Sequence, residues 1–501
     1  MMSGLYSGAT GLKSHSTGMS VISNNVANVS TVAYKQSSVL YSDLISQYMT
    51  GSASPDVTLS QLGAGAAVGS VRTIFTQGGF EAGNSATDLG INGIGFFAVN
   101  NGATTEYTRA GNFSFLSTGE LVDSSGWNLM GYGIANGSKS STLSPVIIDT
   151  SSSGAGKMAG KATTSITSCS QLGGLTDTCA DAANPFFAMA SAYDGTASSP
   201  LANAYSYSQG IQFYDNNGNL QNATVYYDLA GKENGQTAVE YVVALDDASL
   251  DGSSLAGTKA AGLLMAGTLT FSSAGELQNI TAFTPPSSGD PTDLTSWTPA
   301  AVVNGSPAFT VTVAGSGTQS IGLDMGLSLT GTAASGPASA AAASADPSSI
   351  YAVNTSAKRN STASSAYGES TGVIAQTMNG YAEGYLQDIT ISTDGTITGK
   401  YSNGQNEDLF QIPLYRFTSE DGLKHTGGNR YAATAESGAA QEGVAGTENF
   451  GTINECTLEQ SNVDLSTEFS SMIVTQRGFQ MNSKVVTTYD QLLQKALELK
   501  R

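Results

Sequence analysis

The chain is 501 residues long, too long for a single hydrophobic core, so two to four domains are expected. It holds 59 Gly and only 12% charged residues, a mix that favours small-side-chain β-structure with many turns over a long helical bundle. Forty acidic against twenty basic residues give a net charge of −20, which repels nucleic-acid phosphate and offers nothing to an anionic membrane.

At the N-terminus, Leu5, Ala9, Leu12, Met19, Ile22, Val26 and Val29 trace an apolar seam and predict a helix over 3–30. Lys13 is the one charge in that segment and no acid precedes Asp43, so the helix needs more cover than one partner helix gives. Burial against other subunits is therefore expected. Asn24, Asn25, Asn28 and Ser30 suit a helix end or bend. Val39, Leu40, Leu44, Ile45 and Tyr48 allow a short helix over 38–48, and the Gly/Ser/Ala run at 51–70 reads as an extended connector. Residues 1–20 carry neither a basic leader nor a continuous apolar block, so no cleavable secretory signal is expected. No apolar run reaches the ~18 residues of a membrane-crossing helix.

From residue 71 the apolar period changes to two. Val71 to Phe75 and Gly95 to Val99 read as strands, and Tyr107, Phe113, Phe115, Trp127, Leu129 and Tyr132 continue the pattern. The aromatics stop near 140–160. Beyond, Ile211–Tyr214 and Ala223–Tyr227 flank the turn Asp215-Asn216-Asn217-Gly218, and Leu269–Phe271 and Leu277–Ile280 flank Ser273-Ala274-Gly275. Val239 to Leu245 is another strand. The Ser/Ala/Pro-rich run at 333–349 reads as a surface loop or linker. Strands resume with Tyr385, Ile389, Ile391, Ile397 and Tyr401, then one apolar strand over Phe410–Phe417, while 432–452 reads as irregular. A last helix, from near Ser461 almost to Arg501, carries Leu465, Phe469, Met472, Phe479, Val486, Leu493 and Leu497 at heptad-like spacing.

The expected fold is mixed α and β and multidomain. Paired terminal helices form a coiled-coil-like core, with nested all-β domains between them. Residues 1–70 with 452–501 make the helical core and connector, 71–145 with 374–451 a first, discontinuous β-domain, and 146–373 an outer β-domain.

No catalytic constellation stands out. His15 and His425 lie in different segments, so Ser-His-Asp, HExxH and zinc schemes lack their partners. Neither a dinucleotide fingerprint nor a P-loop occurs. Asp215–Asn219 has some features of a calcium loop but lacks the terminal Glu, and reads as a turn. Cofactor and metal are both expected to be none. Cys169 and Cys179, ten apart, either close a small loop or stay unpaired, and Cys456 stands alone. Of the two terminal stripes, Leu5, Leu12, Met19, Ile22, Val26, Leu465, Phe469, Met472, Phe479, Val486, Leu493 and Leu497 are the candidate subunit-interface residues.

Asn24-Asn25-Val26-Ala27-Asn28-Val29-Ser30-Thr31-Val32-Ala33-Tyr34-Lys35 resembles the NNxANxxTxGYK signature of bacterial flagellar rod and hook proteins. Ser461-Asn462-Val463-Asp464, then Met472-Ile473 and Gln476-Arg477, resemble that family's SNVD…MI..QR pattern. Ile94-Gly95-Phe96-Phe97, Tyr107 to Phe113 and Gly119 to Val122 are similar to its first β-domain, and Tyr401 to Gln405 and Asn449 to Thr452 to the return half. Ala33 stands where the signature has Gly, which implies that no positive φ is needed there. Segments near 166–205 and 284–306 look like insertions beyond the family pattern.

The large middle region resembles hook subunits more than the shorter distal rod proteins, which are the alternative; a secreted β-rich adhesin would leave both helices unexplained. The resemblance implies no enzyme activity and a homopolymer that forms a hollow curved tube, a universal joint passing torque from rod to filament. It further implies rod, hook-cap and hook–filament junction proteins as partners, with no nucleic acid and no membrane insertion. It places the protein outside the cell in the flagellum, exported by the type III apparatus without a cleaved signal peptide.

Overall fold

The computed structural model describes residues 2–45, 47–49, 60–135, 137–148, 156–329, 338–447 and 449–498. The chain divides into two compact units, residues 1–157 with 385–501, and residues 158–384.

The first unit holds both terminal helices, Met2–Ala27 and Leu465–Glu498, packed on one another. Asp464 caps the second, its Oδ1 accepting from the amides of Ser466 (2.7 Å) and Thr467 (3.0 Å), so the helix starts at Leu465 and not at Ser461. Residues 499–501 of the expected helix lie outside the described residues. No helix among the described residues is long and apolar enough to cross a membrane.

The helix expected at 38–48 is instead the strand Ser37–Asp43, paired antiparallel with Ala66–Thr73 from Ser37 opposite Thr73 to Asp43 opposite Ala66. The expected connector therefore contains a strand, and Ser60–Leu62 is another; the 51–59 part lies outside the described residues. Alternating apolar positions satisfy two periods over so short a span, and cross-strand hydrogen bonds select the strand.

Beside several two-stranded pairs, this unit holds a large antiparallel sheet whose main path runs 384–391, 396–401, 406–411, 128–135, 97–100, 105–108, 430–432, 424–427. Distant segments meet in it: Tyr132 pairs Gln411 and Tyr107 pairs Tyr431. Leu89, Phe97, Leu129, Ile389, Ile397 and Leu414 share its core. The single strand expected over 410–417 is two, Asn406–Gln411 and Pro413–Arg416. The second pairs with Gln441–Val444, inside the stretch read as irregular.

In the second unit, a six-stranded antiparallel sheet (207–214, 220–233, 236–245, 263–271, 277–284, 298–299) faces a five-stranded sheet (301–303, 306–313, 317–324, 165–172, 371–378). Ile211, Val225, Tyr241 and Leu269 from one meet Ile166, Phe309 and Ile321 from the other. Strand Gln236–Leu245 is buried on both faces, because a second core of Phe187, Met189, Tyr193, Leu201, Trp297 and Ile350 covers the far side. Residues near 166–205 and 284–306 thus build the core. Within 333–349, Ala340–Ala345 is a short helix with Ala340 and Ala343 buried, not a surface loop; 333–337 lie outside the described residues. Cys169 is buried, Cys179 half-buried, and both are free thiols, as is exposed Cys456. Asp215 closes its hairpin as a turn, Oδ1 accepting from the amides of Asn217 and Asn219, both at 2.9 Å.

Candidate subunit interface

The two terminal helices meet along glycines. A Cβ at Gly4 would strike the Tyr489 ring; one at Gly8 would lie 3.1 Å from Val486, and one at Gly11 2.9 Å from Asn482. Gly18 lies against Thr475, the His15 ring sits over Gly478, and Asn25 Nδ2 donates to Glu468 Oε1 at 3.1 Å. As one helix advances from 4 to 25, its neighbour recedes from 489 to 468. The helices therefore run antiparallel without slip, and steps of four and three residues form the contact line.

The apolar stripes are not this line. Leu5, Leu12, Met19 and Val26 each follow a contact position by one residue, as Phe469 follows Glu468 and Phe479 follows Gly478. One residue is about 100° around a helix. Because the helices are antiparallel, that rotation turns both stripes toward the same side of the pair. Ile22 and Met472 fall on the contact register itself, and Val486 touches Gly8.

The opposite side is already covered. Ser14 Oγ donates to Ala66 O at 3.1 Å, Gly65 sits against Ser7 and Thr10, and Asn25 Nδ2 donates to Ser37 O at 2.8 Å, so the 37–43/66–73 hairpin lies there. The stripe side stays open in one chain. Leu465, Phe469 and Leu497 are 40%, 50% and 69% exposed, and Phe479 and Leu493 are also exposed. Leu5, Leu12, Met19, Ile22, Val26, Met472 and Val486 are half-buried.

At the base of the pair the two signature segments lock together. Asn25 Oδ1 accepts from the Ser37 amide (2.9 Å) and the Tyr34 hydroxyl (3.2 Å), and Asn24 Nδ2 donates to that hydroxyl (3.0 Å). Burial raises the Tyr34 phenol above its ordinary value. Asn462 Oδ1 accepts from the Gln36 amide at 2.7 Å, while its Nδ2 donates to Ile74 O at 2.8 Å. Ala33 has φ +55°, so the positive φ is needed after all, and its amide donates to Glu459 O at 2.8 Å.

Beneath lies a buried ion triad. Glu459 takes Lys35 Nζ at 2.6 Å and Arg109 Nε at 2.8 Å. Burial, then the Arg109 charge, lowers the Lys35 ammonium's pKa. Burial alone would raise Glu459, but Arg109 and Lys35 together hold it below the usual carboxylate range.

Sequence reasoning quoted Lys35, Arg109, Asn25 and Asn462 inside motifs without seeing them converge, and missed Glu459 and the glycine line. The spacing of Gly4, Gly8, Gly11 and Gly18, in steps of four, three and seven, was the available signal. Among the described residues, no three His, Cys, Asp or Glu side chains converge to hold a metal ion. Chemically, the arrangement offers an uncovered apolar face on a hydrogen-bonded base.

Four family descriptions match segments of the chain: "Flagella basal body rod protein" at 5–35, "Flagellar hook protein FlgE/F/G D1 domain" at 90–159, "Flagellar basal body protein FlaE D2 domain" at 182–381, and "Flagellar basal body rod FlgEFG protein C-terminal" at 455–499. The flagellar hook protein FlgE of Borreliella burgdorferi is 30% identical, covering 100% of both chains. That of Treponema pallidum is 29% identical over 100% of both, and that of Salmonella typhimurium 28% over 100% of this chain and 98% of its own. Among solved structures, Helicobacter pylori flagellar hook protein FlgE2 is similar at a TM-score of 0.44 and 14% identity, covering 76% of this chain and 100% of its own.

Proposed function

Because the chain belongs to the flagellar hook protein FlgE family, as a structural subunit of the bacterial flagellum and not an enzyme, we propose that its copies polymerise through the open apolar side of the terminal helix pair. The observation that carries this reading is the geometry of that side. Two stripes on antiparallel helices face one way, the hairpin occupies the other, and large side chains such as Phe469 remain in water in a single copy. Burying such a face contributes about 25 cal/mol per Å² of apolar area, and a second copy supplies the matching face.

In this reading the helix pairs line the inner wall of a hollow curved tube, a universal joint that passes torque from rod to filament. The domains of this reading are 1–70 with 452–501 for the helical core and connector, 71–145 with 374–451 for a first β-domain, and 146–373 for a further β-domain. Rod proteins below, and hook-cap and hook–filament junction proteins above, are the partners. The subunit leaves the cell through the flagellar type III apparatus without a cleaved signal peptide.

Deleting residues 1–30 and 462–501 tests the reading. The remaining chain is expected to keep the melting transition of its 158–384 unit and to form no tubes under electron microscopy. Tubes from the truncated chain would defeat it.

A further inference from the structure

Glu459 has a fully buried side chain and is gripped from three separate stretches of chain. Lys35, just past the N-terminal helix, reaches Oε1 at 2.6 Å; the Gly78 amide donates to the same oxygen at 3.0 Å; Arg109, from the β-sheet region, holds Oε2 at 2.8 Å. Arg109 directs its other donors to the carbonyls of Gly95 (2.9 Å), Gly93 (3.0 Å) and Ile91 (3.2 Å). Lys35 also donates to Thr76 O at 2.8 Å. The charges thus tie the chain leaving one helix, the chain entering the other, and the β-domain to a common point.

A hinge calls for few buried contacts and solvent-exposed backbone hydrogen bonds. Here the reverse holds. Two non-glycine residues near the triad sit in the left-handed region, Ala33 at φ +55° between the N-terminal helix and strand Ser37–Asp43, and Cys456 at φ +52° between strands Thr452–Glu455 and Thr457–Glu459. Each is bonded in place, Ala33 N–H to Glu459 O and Gly83 N–H to Cys456 O, both at 2.8 Å. Such backbone persists only where its surroundings over-determine it.

We propose that the Lys35–Glu459–Arg109 triad is a rigid coupling that makes the helix pair and the first β-domain one mechanical body. Bending in the assembled hook is then taken up at contacts between copies and not at this junction, which rests on the polymerising function proposed above. The triad's role is orientation more than stability. Desolvation of the three ions offsets their attraction unless the geometry is right, so apolar side chains of similar size would keep the fold while releasing the angle. Glu459 is a positioning residue in this sense.

The test is the variant Lys35→Met/Arg109→Met/Glu459→Met, with Lys35→Met alone as the milder cut that leaves the Arg109–Glu459 pair intact. Melting of the purified subunit is compared with the curvature distribution and bending stiffness of assembled hooks in electron micrographs. The expected result is melting within about 4 °C of the parent, with hooks that form, soften and vary in curvature. Where the triple variant fails to fold, Lys35→Met carries the same expectation. Wild-type stiffness and curvature from either folded variant overturn the proposal. So do folded variants that form no tubes, since the triad would then serve assembly instead. Failure of the unsubstituted chain to polymerise would count separately, against the function itself.

Discussion

Ala33 is a small residue in an expensive conformation. It is 1% exposed, sits at φ +55°, and its amide bonds the Glu459 carbonyl. A left-handed L-residue costs roughly 1–2 kcal/mol, of which glycine's greater unfolded freedom returns part. Ala33→Gly should therefore stabilise the first unit by about 1 kcal/mol in urea denaturation. The alanine hid this demand, since alanine advertises helix, and the glycine that the resembling signature carries at this position was its signal. Glu240 poses a second residue-scale question. Its buried carboxylate accepts from the amides of Met189 and Ala190, both at 2.9 Å, and lies opposite Asp228 on the neighbouring strand. Burial first, with Asp228 adding, pushes its pKa up to about 8 despite those amides, from an ordinary 4.5. The folded chain then keeps a proton that the unfolded chain has lost. Glu240's contribution is fully present below about pH 4.5 and is lost as pH rises to about 8. Melting of the 158–384 unit should fall over that window, and Glu240→Gln should flatten the fall; an unchanged slope would refute the assignment.

At the scale of elements, the helix pair is held by what is missing from its contact line. Gly4, Gly8, Gly11, Gly18 and Gly478 let the backbones approach, but each costs about 1 kcal/mol of helix propensity against alanine. The pair is therefore marginal alone and gains from cover on its open side. Gly11→Leu should wedge the helices apart at Asn482, abolishing tubes while leaving the melting of the 158–384 unit unchanged. The apolar stripes were legible because Leu, Met, Phe and Val recur at helical spacing. Which of two adjacent faces joins the helices was not, because a hydrophobic period counts side chains and glycine has none. Hairpins such as 207–214 with 220–233 were legible because Asp215 to Gly218 is turn chemistry in four residues. The strand Ser37–Asp43 was not, since its partner begins at Ala66, far beyond any local turn signal. The ion triad was hidden for the same reason: Lys35 and Glu459 lie 424 residues apart.

At the scale of the whole molecule, the chain's two ends build one surface, and the account stands on what that surface is for. The flagellar hook family supplies the polymer; the function proposed above has copies join through the open side of the helix pair. Phe469 lies on the open stripe, exposed and away from the contact line, whereas half-buried Met472 falls on the contact register between Glu468 and Thr475. Charging Phe469 should leave each subunit folded and remove the drive to assemble, since a carboxylate buried between copies without a partner is costly. The most direct measurement is electron microscopy of the Phe469→Asp chain under conditions in which the unsubstituted chain forms tubes, with the melting of both recorded alongside. The account predicts an unchanged β-domain transition and no tubes. Tubes of normal length and curvature from the charged variant would contradict it.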